Sequence, residues 1–196
     1  MLNLLIFGAP GSGKGTQSAF IKEHYNLDHV STGDMLRGEI KAGSEVGKKA
    51  ASIIEKGGLV SDDIISEMLA GRVSRMTAGK DGFIFDGYPR TLPQAETLEG
   101  ILGEHNTAVT ALVELQAPEE ELIARIIERG KISGRADDNE TSVKERLAVY
   151  HRETEPVIDF YKKQGKVLTV VGTGSIEEIT KRIFDAIDAF QLGVRS

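Results

Sequence analysis

The chain has 196 residues with no cysteine, and its 24 Lys and Arg against 30 Asp and Glu give a net charge of −6. That length suits one α/β domain carrying inserted lobes, while the missing cysteines exclude disulfides and thiolate metal sites. The acidic balance argues against nucleic acid or an anionic membrane surface as partner. No apolar stretch is long enough to span a bilayer, and Leu2 to Phe7 is too short and lacks the basic flank of a secretion signal, so a soluble, cytoplasmic protein is expected.

Leu2 to Phe7 reads as a buried strand. It runs into Gly8-Ala9-Pro10-Gly11-Ser12-Gly13-Lys14-Gly15-Thr16, and a helix is expected over Gln17 to His24. A strand that delivers a glycine-rich loop to a helix N-terminus turns backbone N–H groups and the positive end of the helix toward an anion, and Lys14 adds a point charge for terminal phosphates. Seven specified positions coincide by chance on the order of once in a hundred million start sites. One departure stands out: Gly15 occupies the place where the general phosphate-loop pattern has Ser or Thr, so Thr16 is expected to meet a metal differently.

Leu27 to Val30 is a weaker strand. Residues 31–60 then hold Gly33, Gly38, Gly43, Gly47, Gly57 and Gly58 among helical patches and read as a small inserted lobe. A helix over Asp62 to Met76 opens on Ser61-Asp62-Asp63, a cap signal. Phe83-Ile84-Phe85-Asp86 is an apolar strand ending in a carboxylate; such an Asp serves as a turn cap or, beside a phosphate loop, as a Mg²⁺ holder. Gly87-Tyr88-Pro89-Arg90 follows as a rigid turn that sets a guanidinium near the strand end, where open α/β sheets bind ligands.

Further helices are expected over Pro93 to Leu102, Pro118 to Arg129, Ser142 to Lys163 and Ile176 to Phe190, the last opened by the capping box Ser175/Glu178; strands are expected at Val109 to Leu115 and Val167 to Val171. Continuous apolar runs alternating with helices imply a parallel sheet covered on both faces. Residues 129–138 are too polar for a core and read as a mobile flap punctuated by Gly130 and Gly134. Arg125 and Arg129 share a helix face, with Arg135 in the loop and Arg146 on the next helix. Either this is a solvated surface, with Glu121 offsetting one charge, or it is an arginine basket for a phosphoryl group. Asp137 and Asp138 either pair with those arginines or form a solvated acidic loop. The histidines, His24, His29, His105 and His151, show no ligand spacing and read as surface or satisfied core residues. Gly193 to Ser196 read as a frayed end.

The ordered set G-x-P-G-x-G-K-G-T, Ser31-Thr32-Gly33-Asp34-Met35-Leu36-Arg37, Asp86-Gly87-Tyr88-Pro89-Arg90 with Gln94, Arg129-Gly130 through Ser133-Gly134-Arg135, and Asp137-Asp138-Asn139 resembles the adenylate kinase family in its short-lid form over almost the whole chain. The resemblance implies a P-loop three-layer fold with a five-stranded parallel sheet. It divides the chain into a core (1–30, 61–127 and 139–196), a monophosphate lobe (31–60) and a lid (128–138). It implies ATP contacts from Gly11, Ser12, Gly13, Lys14, Gly15, Thr16, Arg129 and Gly174. AMP contacts would come from Thr32, Arg37, Gly58, Leu59, Val60, Gly87, Tyr88, Pro89, Arg90, Gln94, Arg135 and Arg146. Asp86 would hold Mg²⁺ mainly through water, and a cysteine-free short lid has no zinc site.

The implied activity is reversible phosphoryl transfer from Mg-ATP to AMP giving two ADP, by a monomer, with Lys14, Arg90, Arg129, Arg135 and Arg146 as catalytic charges. The acceptor is already anionic, so no general base is required; alignment, charge stabilisation and exclusion of water carry the reaction. A UMP/CMP kinase is the nearest alternative. Thr32 and Thr91 favour AMP, since pyrimidine-specific relatives carry Ala and Asn there. A nucleotide-binding switch is the other alternative, but the guanine signature N-K-x-D is absent.

Overall fold

The computed structural model describes residues 1–76 and 78–194. Five strands, β1 (Leu2–Phe7), β2 (Asp28–Ser31), β3 (Gly82–Asp86), β4 (Ala111–Gln116) and β5 (Val167–Val171), form one parallel sheet in the order β2-β3-β1-β4-β5. The expected α/β architecture is therefore the one observed. The central strands β1 and β3 are buried almost throughout, as continuous apolar runs require, whereas Thr169 and Val171 of the edge strand β5 are exposed.

Strand alternation sends Leu5, Phe7, Phe85 and Leu112 to one face. There they pack on Leu69 of α4 (Asp62–Val73), Leu98 of α5 (Leu92–Glu104) and Val157 of α8 (Glu155–Lys162). Leu4, Ile6, Ile84 and Val113 face the other way, onto Ile21 of α1 (Lys14–His24) and Ile183 of α9 (Ile176–Val194). A third cluster joins Ala9 to Ile126 of α6 (Glu119–Ser133) and Leu147 of α7 (Glu140–Val149), seating those helices beneath the glycine-rich loop. Each fully buried Leu or Ile stabilises the fold by roughly 1.5–3 kcal/mol.

Several boundaries differ from expectation. Helix α1 starts at Lys14 rather than Gln17, and β2 lies one residue later than Leu27 to Val30, leaving Leu27 in the core. The glycine-punctuated lobe contains two helices, α2 (Thr32–Ala42) and α3 (Glu45–Glu55), capped by Ser31 and Ser44. Ser61 makes no side-chain cap, and α4 stops at Val73 instead of Met76. The capping box at α9 is formed as expected: Ser175 N donates to Glu178 Oε2 (2.8 Å) and Glu178 N to Ser175 Oγ (3.2 Å). Of the expected frayed end, Gly193 and Val194 complete α9, while 195–196 lie outside the described residues.

The flap is the main correction. Helix α6 continues through Gly130 to Ser133, so only 134–139 connect it to α7. Gly130 is there for close approach: a Cβ on it would lie 2.5 Å from Asp138 O, and only glycine lets the returning loop pack onto the helix. The single helix expected over Ser142 to Lys163 is likewise interrupted, by a π-helical turn at Tyr150–Thr154 between α7 and α8. Pro156 has no N–H for the Arg152 carbonyl, and the widened turn absorbs the mismatch.

Candidate active site

Pairing of Ile6 and Ser31 with Asp86 aligns the carboxyl ends of β1, β2 and β3. The loop after β1 leads into α1, whose first turn carries no acidic residue, so its positive end is left open to an anion. Lys14 opens that helix and folds back, its Nζ donating to Gly8 O (2.8 Å) and Ala9 O (3.4 Å). Burial lowers the Lys14 pKa to about 8: Asp86 opposes the shift, and Arg90, Arg146 and Arg129 reinforce it. A partly desolvated cation gains from an incoming polyanion that replaces the lost hydration.

Asp86 ends β3 with its side chain 12% exposed. Burial alone would raise its pKa, but His29, Lys14 and Arg90 hold it below the usual carboxylate value. Ser18 Oγ stands 3.3 Å from Asp86 Oδ2 and 2.7 Å from Lys14 O. A Cβ on Gly15 would stand 3.9 Å from Asp86 Oδ2 with no other neighbour within 4 Å, so the place of the usual Ser or Thr is open space facing the carboxylate. One carboxylate oxygen facing open space beside the glycine-rich loop suits Mg²⁺, a hard ion that keeps several waters. Among the described residues no cluster of three His, Cys, Asp or Glu could form an all-protein metal cage.

Arg37, Arg90, Arg129, Arg135 and Arg146 line the same cleft of about 430 Å³ as Lys14 and Asp86. Arg90 is fixed by its own turn: Nε donates to Gly87 O (2.8 Å), its backbone N to Gln94 Oε1 (2.7 Å), and Thr154 Oγ1 donates to its carbonyl (2.9 Å). Asp138 accepts from Arg129 Nε (2.7 Å) and Nη2 (2.6 Å) and from Arg146 Nη1 (3.0 Å), and Asp137 pairs with Arg146 at 3.1 Å. Of the two readings open for these aspartates, pairing is the one found. Burial and the neighbouring Arg37 and Arg129 depress the Arg135 pKa, a sign of cations crowded without enough counter-charge.

Arg125 is not in the cleft. It pairs with Glu121 and donates to Gly172 O (3.0 Å) and Gly11 O (3.5 Å), so it ties the glycine-rich loop to the turn after β5. Ser12 is buried with its hydroxyl unpartnered, and Gly174 lies outside the cleft in the β5–α9 turn. Gly11, Gly13, Gly15, Thr16, Thr32, Gly58, Leu59, Val60, Gly87 and Gln94 all line it. Tyr88 and Pro89 border a smaller adjoining cavity of about 70 Å³, with Tyr88 donating to Gln94 O (3.1 Å).

Sequence reasoning missed His29, read as a surface or satisfied core residue. It lines the cleft, and its buried Nε2 lacks a hydrogen-bond partner 3.7 Å from Asp86 Oδ2, too far for a bond but close enough to act by charge. It carries no local motif, and only the pairing of β2 with β3 brings it to the cleft. Gly57 and Ile65 also line the cleft unforeseen, with no local signal of their own.

The adenylate kinase family model matches residues 6–166 of the chain. The chain is 54% identical to an adenylate kinase of Parabacteroides distasonis over 188 residues, covering 96% of this chain and 98% of that protein. An adenylate kinase of Porphyromonas gingivalis is 50% identical (97% and 98% covered), and one of Stenotrophomonas maltophilia 47% identical (95% and 99%).

Proposed function

Because the chain belongs to the adenylate kinase family and is thus a kinase that moves a phosphoryl group between adenine nucleotides, we propose that it transfers phosphate reversibly from Mg-ATP to AMP, giving two ADP. The observation that carries the reading is the convergence of Lys14, Arg37, Arg90, Arg129, Arg135 and Arg146 on one cleft, with Asp86 among them.

Backbone amides of Gly11 to Thr16 and the Lys14 ammonium hold the ATP phosphates, Arg129 contacts ATP, and Gly174 lies beside its adenine. Thr32, Arg37, Gly58 to Val60, Gly87 to Arg90 and Gln94 hold AMP. An oxygen of the AMP phosphate attacks the γ-phosphorus in line as the bond to the β-bridging oxygen breaks. No proton need be removed from the nucleophile. Arg90, Arg135 and Arg146 stabilise the charge spread over the transferring group. Asp86 would hold Mg²⁺ through water, and the bound ion would neutralise phosphate charge. Residues 31–60 act as the monophosphate lobe and 128–138 as the lid, and their closure keeps water from intercepting the phosphoryl group. We take the enzyme to be a cytoplasmic monomer without nucleic-acid or membrane partners, as the acidic composition and family resemblance suggest.

The test is a coupled assay of ADP formation from Mg-ATP with AMP, UMP, CMP and GMP as acceptors. Strong turnover with AMP alone is expected. Preference for UMP or CMP would overturn the acceptor assignment and leave the mechanism standing.

A further inference from the structure

Gln94 is 2% exposed, and its amide is gripped from both ends. Nε2 donates to Asp62 Oδ1 at 2.6 Å, while Oε1 accepts from Arg90 N at 2.7 Å. A carboxylate can only accept and a backbone N–H can only donate, so the chemistry of the two partners decides which end of the amide faces which way. Turning the amide over would set its oxygen against the carboxylate and its N–H groups against the Arg90 N–H. Asp62 is itself placed by Thr91, whose Oγ1 lies 3.3 Å from Asp62 Oδ1 and also accepts from Gln94 N at 3.3 Å. The N-termini of α4 and α5 are thus linked through one carboxylate that does not line the cleft.

We propose that Asp62 is the positioning residue that sets acceptor specificity, by locking the Gln94 amide in the orientation that reads a 6-aminopurine and rejects a 6-oxopurine. The proposal rests on the reading above that the acceptor base lies against Gln94. With its two fixed bonds made, the amide has one N–H and one oxygen lone pair left. Adenine offers the complement, an accepting N1 and a donating 6-amino group. Hypoxanthine offers the reverse, a donating N1–H and an accepting O6. A free amide satisfies either base by turning over. A locked one leaves donor facing donor and acceptor facing acceptor, the kind of mismatch by which polar sites reject analogues strongly. Thr91, expected from the sequence to favour AMP, acts in this arrangement through Asp62 rather than on the base.

The experiment compares kcat/KM for AMP and IMP, which share ribose and phosphate and differ at position 6 and N1, in the wild type, Asp62→Asn and Asp62→Glu, with a melting curve for each. An Asn amide can present either end to Gln94, which removes one of the two repulsions opposing reversal. The expected result is an AMP/IMP ratio of about 1,000 or more in the wild type. It should fall at least about tenfold in Asp62→Asn and return substantially in Asp62→Glu, which keeps the carboxylate. A wild type that prefers AMP with an unchanged ratio in Asp62→Asn overturns the proposal alone, even if the melting temperature falls, because a merely structural role would move stability and not the ratio. If Asp62→Asn fails to fold, the same ratio is read in Thr91→Val, where a fall supports the proposal and an unchanged value overturns it. A wild type that prefers UMP or CMP overturns the acceptor assignment and the proposal with it.

Discussion

Truncating Asp138 to Ala tests how the loop between α6 and α7 is held. Its side chain is fully buried and accepts three hydrogen bonds from two guanidiniums, Arg129 and Arg146, whose side chains are 36% and 19% exposed. Breaking a buried ion pair by removing one partner costs about 3–5 kcal/mol. Water reaches Arg129 readily and Arg146 to a lesser degree, and that rehydration discounts the figure to about 2–3 kcal/mol. For a chain of this size each kcal/mol shifts the melting temperature by about 2–4 °C, so a fall of roughly 5–10 °C is expected at pH 7 by circular dichroism. Asp138→Asn, which keeps the shape and a neutral acceptor, should lose less. The pairing also has a pH signature. Burial would raise the Asp138 pKa, but Arg129 and Arg146 outweigh it and the folded value lies below the ordinary one. Its stabilisation is therefore full above the unfolded pKa of about 3.9 and is lost as pH falls toward the folded value. The difference in melting temperature between wild type and Asp138→Asn should narrow in that acid window. A drop under about 2 °C for Asp138→Ala, or a difference that does not change with pH, would refute the reasoning.

Three other outcomes follow from the site. Burial lowers the Lys14 pKa to about 8, so a substantial share of it should be neutral at pH 8.5 in the empty enzyme, and bound phosphate is expected to restore its charge. Calorimetry in buffers of different ionisation enthalpy should show uptake of up to about one proton on ATP binding at pH 8.5, little at pH 6.5, and none attributable to this group in Lys14→Met. Arg90→Ala and Arg135→Ala should each lower kcat at least about a hundredfold with melting temperatures near wild type; near-normal turnover would remove that residue from the charge-stabilising set. Gly57 sits at φ +79°, and a Cβ there would come within 2.8 Å of Arg146 Cγ and Ser142 O. Gly57→Ala should therefore destabilise by about 1–2 kcal/mol or more and raise KM for AMP, read by denaturant melts and steady-state kinetics; an unchanged KM would show that Arg146 tolerates displacement.

The strand–loop–helix around Lys14 and the placement of Asp86 and Arg90 at the strand ends were legible in the sequence because each is a local device. A strand, a turn and a helix start lie within a dozen residues, and their chemistry follows from spacing. The parallel sheet was equally legible, since strands buried on both faces must be apolar throughout, as Phe83 to Phe85 are. What tertiary structure alone decided is which neighbours meet across long separations. Gly130 read as punctuation in a mobile flap, yet it lies within a helix, and the loop at Asp138 packs onto it. Arg125 shares a helix face with Arg129, but Glu121 and the carbonyl of Gly172 draw it away from the cleft. His29 carries no motif, and only the pairing of β2 with β3 brings it to Asp86. Asp62 read as part of a helix cap, whereas its partner Gln94 lies 32 residues away. Residue types and local spacing therefore specify the chemistry available, while the packing of helices on the sheet fixes which charges are paired, which are left facing the cleft, and which way an amide points.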